Sequence, residues 1–156
     1  MVCTHYFSPI GTLTLVGEGN VLTGLWLERD RPAQLPPEGH APVFDRAVKW
    51  LDGYFQGQPP EISFDLRPAG TPFQKKVWEI LLTVPYGQTR TYGSIAIEID
   101  PVGKMSAQAI GGAVGRNPIS IIIPCHRIVG AGGKLTGYAG GLEKKAWLLR
   151  HEGGIL

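Results

Sequence analysis

The residues best suited to chemistry stand together at Pro124-Cys125-His126-Arg127. A cysteine thiolate is a soft nucleophile, and histidine is the side chain that most readily exchanges a proton near neutral pH. Positive charge favours thiolate over thiol, and His126 and Arg127 are the cations nearest Cys125 in sequence. Ile119 and the three isoleucines at 121–123 precede the cysteine and read as a short buried strand, which Pro124 ends because it has no N–H for a ladder. That puts Cys125 at the floor of a site. The same facts fit an ordinary buried thiol, so the rest of the chain has to decide. A direct Cys125–His126 hydrolase pair is disfavoured, because adjacent residues seldom aim their side chains at one another as that chemistry needs. Glu152 follows a helical stretch, where a carboxylate opposes the helix dipole and calls for a local partner. Cys3 and His5 are the remaining metal-type pair; with no second pair, no metal is expected.

Composition narrows the class. A chain of 156 residues suits one compact domain or two small ones. At 43% hydrophobic and 18% charged it forms a packed core rather than a disordered chain. A net charge of +2 permits a nucleic-acid partner without arguing for one. Two distant cysteines make no disulfide framework, the first residues do not read as a signal peptide, and no apolar run reaches membrane-spanning length. The expectation is a soluble protein of a reducing compartment: the cytoplasm, or the nucleus in a eukaryote.

The elements that would position Cys125 follow from pattern. Residues 5–28 alternate as β-structure around a hairpin turn at Gly17-Glu18-Gly19-Asn20. A helix is predicted over 42–55 with Phe44, Val48, Leu51 and Phe55 inward, and a third strand over 62–66. Residues 1–68 thus read as a structural α/β domain and 69–156 as a second domain. In the latter, Thr71-Pro72-Phe73-Gln74 is a full helix start, with N-cap, proline and capping-box glutamine. Thr91 caps a short helix from 92 to 99, and Ser106 caps another through 114, the outline of a helix-turn-helix. The second of these contains Gly111-Gly112, which costs a helix about 1 kcal/mol per glycine. Either the helix packs tightly on a neighbour or its face lies against a nucleic-acid backbone. Lys104, Arg116 and Arg90 flank the pair as possible phosphate contacts. A last helix over 142–151 is predicted to turn Leu142, Ala146 and Leu149 inward.

Taken in order, Phe73-Gln74, Val77-Trp78, Val84-Pro85-Tyr86-Gly87, Tyr92, Asn117-Pro118, Pro124-Cys125-His126-Arg127-Ile128-Val129, Gly137-Tyr138-Ala139-Gly140-Gly141 and His151-Glu152-Gly153 resemble the O6-alkylguanine-DNA alkyltransferases. The resemblance is dense from Phe73 to Gly153 and thinner before it, where Ser8-Pro9-Ile10-Gly11 agrees. It implies an α+β fold, with a small N-terminal ribonuclease-H-like antiparallel sheet and helix, then a helical winged helix-turn-helix domain. The implied activity is single-turnover transfer of an alkyl group from O6 of a flipped guanine, or from O4-alkylthymine, to Cys125, with no cofactor. His126 would relay the thiol proton through a water, Glu152 would orient His126, and Tyr92 would donate toward N3 of the base. Ser120, Ile128, Tyr138, Ala139 and Asn117 are the implied substrate-pocket residues. Ala107, Gln108 and Gly111 on the third helix, with Arg90, Arg116 and Arg127, are the implied contacts to double-stranded DNA through its minor groove. The protein is expected to be a monomer with no membrane partner. One departure stands out: Gln108 occupies the position of the family arginine that replaces the extruded base, and the connection over 100–105 is longer than usual. A protein that recognises the lesion without transferring it is the alternative, and Cys125 argues against it.

Overall fold

The computed structural model describes residues 1–153. It comprises two compact units that divide between Ala69 and Gly70. In the first unit, β1 (Val2–Ser8), β2 (Gly11–Glu18) and β3 (Val21–Trp26) form consecutive antiparallel hairpins. The third expected strand shrinks to β4 (Asp65–Leu66), which pairs with β3 in parallel, so the sheet β1-β2-β3-β4 is mixed. The reason is the connection: a helix intervenes between β3 and β4, and a crossover of that kind returns the chain in the same direction. That helix, α1 (Pro42–Phe55), lays Val43, Phe44, Ala47, Trp50, Leu51 and Tyr54 on the sheet. The buried stripe is rotated by about one residue from the expected one, with Val48 and Phe55 at its margin. Beneath it Leu13, Leu15, Leu22 and Leu25 are fully buried. A Cβ on Gly17 would come within 2.9 Å of the Val43 side chain, so glycine sets how closely α1 approaches β2.

The second unit holds α2 (Pro72–Leu81), α3 (Tyr92–Ile99), α4 (Ala107–Gly115) and α5 (Leu142–His151). Their starts agree with the sequence. Thr71 Oγ1 accepts from the Gln74 N–H at 3.1 Å while Gln74 Oε1 accepts from the Thr71 N–H at 3.0 Å. Thr91 and Ser106 cap α3 and α4 in the same manner, each accepting an N–H three residues on. The Trp78 indole N–H donates to the Ala113 carbonyl at 2.9 Å and ties α2 to α4. Two-residue strands β5 (Arg90–Thr91) and β6 (Ile128–Val129) pair in parallel. This short ladder matters for the site: Tyr92 follows β5 directly and Arg127 precedes β6 directly, so the start of α3 is brought beside the Cys125 segment.

The strand expected at 121–123 does not form. The segment is buried throughout, but it folds on itself in turns that end in a 3₁₀ turn, Cys125–Arg127. Asn117 explains how. Its Nδ2 donates to the carbonyls of Ile119 (3.3 Å) and Ile123 (2.8 Å), and its Oδ1 accepts from the Ile119 N–H (3.0 Å). One side-chain amide does for this buried backbone what a neighbouring strand would otherwise do. The loop is tight enough to force Ile121 to φ 70°. For a β-branched residue that conformation costs about 1–2 kcal/mol, and burial of its side chain offsets it. Asn117→Ala removes all three bonds and leaves buried backbone groups unpaired, so chemical denaturation should show a loss of about 2–4 kcal/mol, with a smaller loss for any exposed α2 position such as Lys75→Ala.

Candidate active site

Glu152, at the C-cap of α5, is the centre of the buried polar cluster. Its carboxylate accepts from His126 Nε2 at 2.6 Å, from Arg127 Nε at 2.8 Å and Nη2 at 3.1 Å, and from the Gly87 N–H at 3.2 Å. The third guanidinium nitrogen, Arg127 Nη1, donates to the Val84 carbonyl at 2.8 Å, and the guanidinium lies over the Tyr86 ring. The partner that helix polarity demanded for Glu152 is therefore present twice over. Arg127 is only 8% exposed and its donors are directed inward. Arg127, one of the expected DNA contacts, is here the counter-ion of Glu152.

This pairing decides the state of His126. The ring is fully buried, and burial holds its pKa below the ordinary histidine value; Glu152 pulls the other way, while the Arg127 and Lys145 cations add to the lowering. With Arg127 already neutralising the carboxylate, His126 is neutral at neutral pH. A neutral imidazole that donates from Nε2 carries its lone pair on Nδ1. Glu152 thus fixes the tautomer, with Nδ1 as the acceptor nitrogen.

Cys125, 6% exposed, is close enough to Tyr92 and Lys145 for its charge to bear on both. Lys145 went unnoticed in the sequence. Its side chain is fully buried, its Nζ donates to the Gly137 carbonyl at 2.8 Å and to the Tyr92 hydroxyl at 3.4 Å, and it sits over the Tyr92 ring. Burial pushes its pKa down to about 8, against which the Cys125 thiolate acts to raise it. By reciprocity a protonated Lys145 favours the thiolate. Lys145 is thus a cation whose charge bears on Cys125, while Arg127 is paired with Glu152. Burial likewise raises the Tyr92 phenol, and the Thr136 side chain bonds it. With Lys145 and Thr136 donating to the phenol oxygen, the remaining Tyr92 proton is directed elsewhere.

The signal for Lys145 lies in helix spacing. Lys145, Leu148, Leu149 and Glu152 share one face of α5, while Leu142 is exposed. The inward stripe is thus displaced from the expected 142, 146, 149.

Tyr92 lines a groove of about 690 Å³ together with Gln108, Gly111, Gly112, Tyr138 and Ala139. Of the pocket residues that the resemblance implies, Tyr138 and Ala139 line this groove, while Ser120, Ile128 and Asn117 are buried. Ala107 also borders the groove. A Cβ on Gly112 or Gly115 would meet nothing within 4 Å, and one on Gly111 would only touch the Tyr92 ring at 3.9 Å. Close helix packing therefore does not account for these glycines; they keep one face of α4 low. Arg116 is exposed at the C-cap of α4. Arg90 bonds Ser94 and pairs with Glu98 at 2.7 Å, so its charge is answered locally.

A family model described as 6-O-methylguanine DNA methyltransferase, DNA binding domain, matches residues 72–154, and one for the ribonuclease-like domain of the same proteins matches residues 1–68. The chain belongs to the O6-methylguanine-DNA methyltransferase family. A methylated-DNA–protein-cysteine methyltransferase of Mycobacterium leprae is 48% identical over 155 residues, spanning 96% of this chain and 91% of that protein. One from Methanosarcina barkeri is 45% identical over 149 residues, spanning 93% and 92%. The crystal structure of Mycobacterium tuberculosis OGT in complex with DNA superposes with a TM-score of 0.87 at 48% identity, covering 97% of this chain and 92% of that one. The two-part α+β architecture is thus that of the methyltransferase family.

In this family member the buried neutral His126 has a thermodynamic consequence. The unfolded chain takes up the histidine proton at its ordinary value and the folded chain resists it, so the unfolded state binds more protons below about pH 6.5 and stability falls as pH is lowered through that value. Urea midpoints measured at about pH 7.5 and about pH 5.5 should show the loss, and His126→Gln should make the dependence shallower.

Proposed function

We propose that this methyltransferase-family protein repairs DNA by moving an alkyl group from O6 of guanine to the sulfur of Cys125, once per molecule. The observation that carries the reading is that Cys125, next in the chain to the Glu152-bound His126, is coupled to the Lys145–Tyr92 pair, and that Tyr92 lines a groove bordered by α4. The relatives that share this architecture are named for transfer to a protein cysteine, and one was solved with DNA.

The chemistry runs as follows. A guanine inside a duplex cannot reach Cys125, so it leaves the stack at a cost of a few kcal/mol. The low, glycine-faced side of α4 enters the minor groove, with Ala107, Gln108 and Gly111 against the DNA and Arg116 toward the backbone. The Cys125 proton passes through a bridging water to His126 Nδ1, and the imidazolium so formed is stabilised by Glu152. Lys145 holds the thiolate. Its sulfur attacks the alkyl carbon in line; the C–S bond forms as the C–O bond breaks, and the electron pair goes to O6 of the base. The Tyr92 hydroxyl donates to N3 and the Ala139 N–H to O6, meeting the charge that develops on the guanine. Carbonyls of Cys125 and Ile128 receive the exocyclic amine. The product is a thioether, which none of these groups cleaves. A double-stranded DNA partner, no cofactor, and a monomer in the cytoplasm (or nucleus) complete the proposal.

Mixing the protein with a duplex containing O6-methylguanine should add one methyl mass to the peptide carrying Cys125, and nothing in Cys125→Ala; binding without any adduct would leave only lesion recognition. Lys145→Met should slow the transfer about 10–100-fold by removing the thiolate's cation, and equal rates would deny Lys145 that part. Gln108→Arg should transfer faster than the wild type on the same duplex, since a guanidinium supplies the charge and stacking plane that glutamine lacks.

A further inference from the structure

Among the described large apolar residues of the second unit, Val102 is the most exposed at 77%, followed by Ile97 at 63%. Both belong to the same short stretch: Ile97 lies in the last turns of α3, and Pro101-Val102 forms the tip of the connection to α4. The tip is a built turn. The Asp100 carbonyl accepts from the Gly103 N–H and the Asp100 carboxylate accepts from the Lys104 N–H, each at 3.1 Å. Gly103 takes φ 81°, a value that suits glycine, and closes the turn. The turn therefore holds Val102 outward in a fixed place, on the same stretch as exposed Ile97.

Its position in the chain indicates what it meets. Four residues after Val102 comes Ser106, the N-cap of α4, and then Ala107 and Gln108, which border the groove. Exposed Lys104 stands between them. Helix-turn-helix geometry places the turn at the N-terminal end of the recognition helix, the end that carries Gln108. An apolar tip flanked by a cation, continuous with a helix face lowered by glycines, matches proteins that open the minor groove with an apolar wedge between base steps.

We propose that Pro101-Val102 is such a wedge: it inserts beside the extruded nucleotide and holds the duplex open, a task to which uncharged Gln108 is poorly suited. The inference rests on the reading of the chain as a DNA-repair alkyltransferase, and its occupant is double-stranded DNA. A wedge acts on a base stack, so it is irrelevant to a strand that has none to open.

The test compares methyl transfer to Cys125 from one O6-methylguanine oligonucleotide, single-stranded and as its duplex, for wild type, Val102→Ser and Val102→Ile. Val102→Ser should lower the duplex rate about 5-fold or more and leave the single-strand rate within about 2-fold, while Val102→Ile keeps both. An unchanged duplex rate, or equal loss on both substrates, overturns the wedge while leaving the alkyltransferase reading intact. Sedimentation of the free proteins closes the other route: a wild-type dimer that Val102→Ser dissociates would make the tip a contact between copies and also overturn it. Absence of transfer by wild type on either substrate instead overturns the parent reading, and the wedge with it.

Discussion

The buried Glu152 carboxylate is the interaction on which the second unit depends. It gathers donors from two separate parts of the chain, the 3₁₀ turn that carries Cys125 and the Gly87 backbone after α2, and ties both to the end of α5. A charge taken out of water at this depth would be untenable unpaired, and a buried pair is worth having only when the geometry leaves nothing unsatisfied. Here the guanidinium of Arg127 supplies the opposite charge and two bonds, while His126 and Gly87 supply the rest. Arg127 therefore acts at one remove from the chemistry. Its charge adds to the burial that holds the His126 pKa down, against the pull of the carboxylate.

A second constraint separates two cations that the sequence does not distinguish. Arg127 neighbours Cys125 in the chain and is paired with Glu152, whereas Lys145, twenty residues away, has its charge coupled to that of Cys125. The division suits the two side chains. A planar guanidinium matches a carboxylate with two bonds, whereas an ammonium on a flexible stem is a point charge whose pKa moves when it is buried. Tyr92 lies against that ammonium and is held in reach by the β5–β6 ladder.

Much of this was legible before any coordinates. The caps at Thr71, Thr91 and Ser106 are local events between residues three apart, so they depend on little else and were read correctly. The His126–Glu152 bond joins two residues that the family pattern singles out together with Cys125. What failed was what tertiary packing decides. Isoleucines at 121–123 are as compatible with a buried loop as with a strand, and the Asn117 amide settles the matter from outside the run. In α1 and α5 the period was right and its phase was off, because the helices roll to bury Trp50 and Lys145, a polar-tipped aromatic and a charge that periodicity counts as surface. Lys145 hid for that reason.

The Asn117 loop also bears on how the site is held. Bonds from Asn117 to Ile119 and Ile123, from Ile119 to Ile123 and from Pro124 to Arg127 span two to six residues, so the turn presenting the thiol closes at little entropic cost. The orientation of the neighbouring His126 depends instead on a contact with Glu152 across 26 residues. The turn that holds Cys125 is thus tied by local bonds, whereas the orientation of His126 beside it rests on a long-range one, so a disturbance of the α5 end would reach the histidine before it reached the turn.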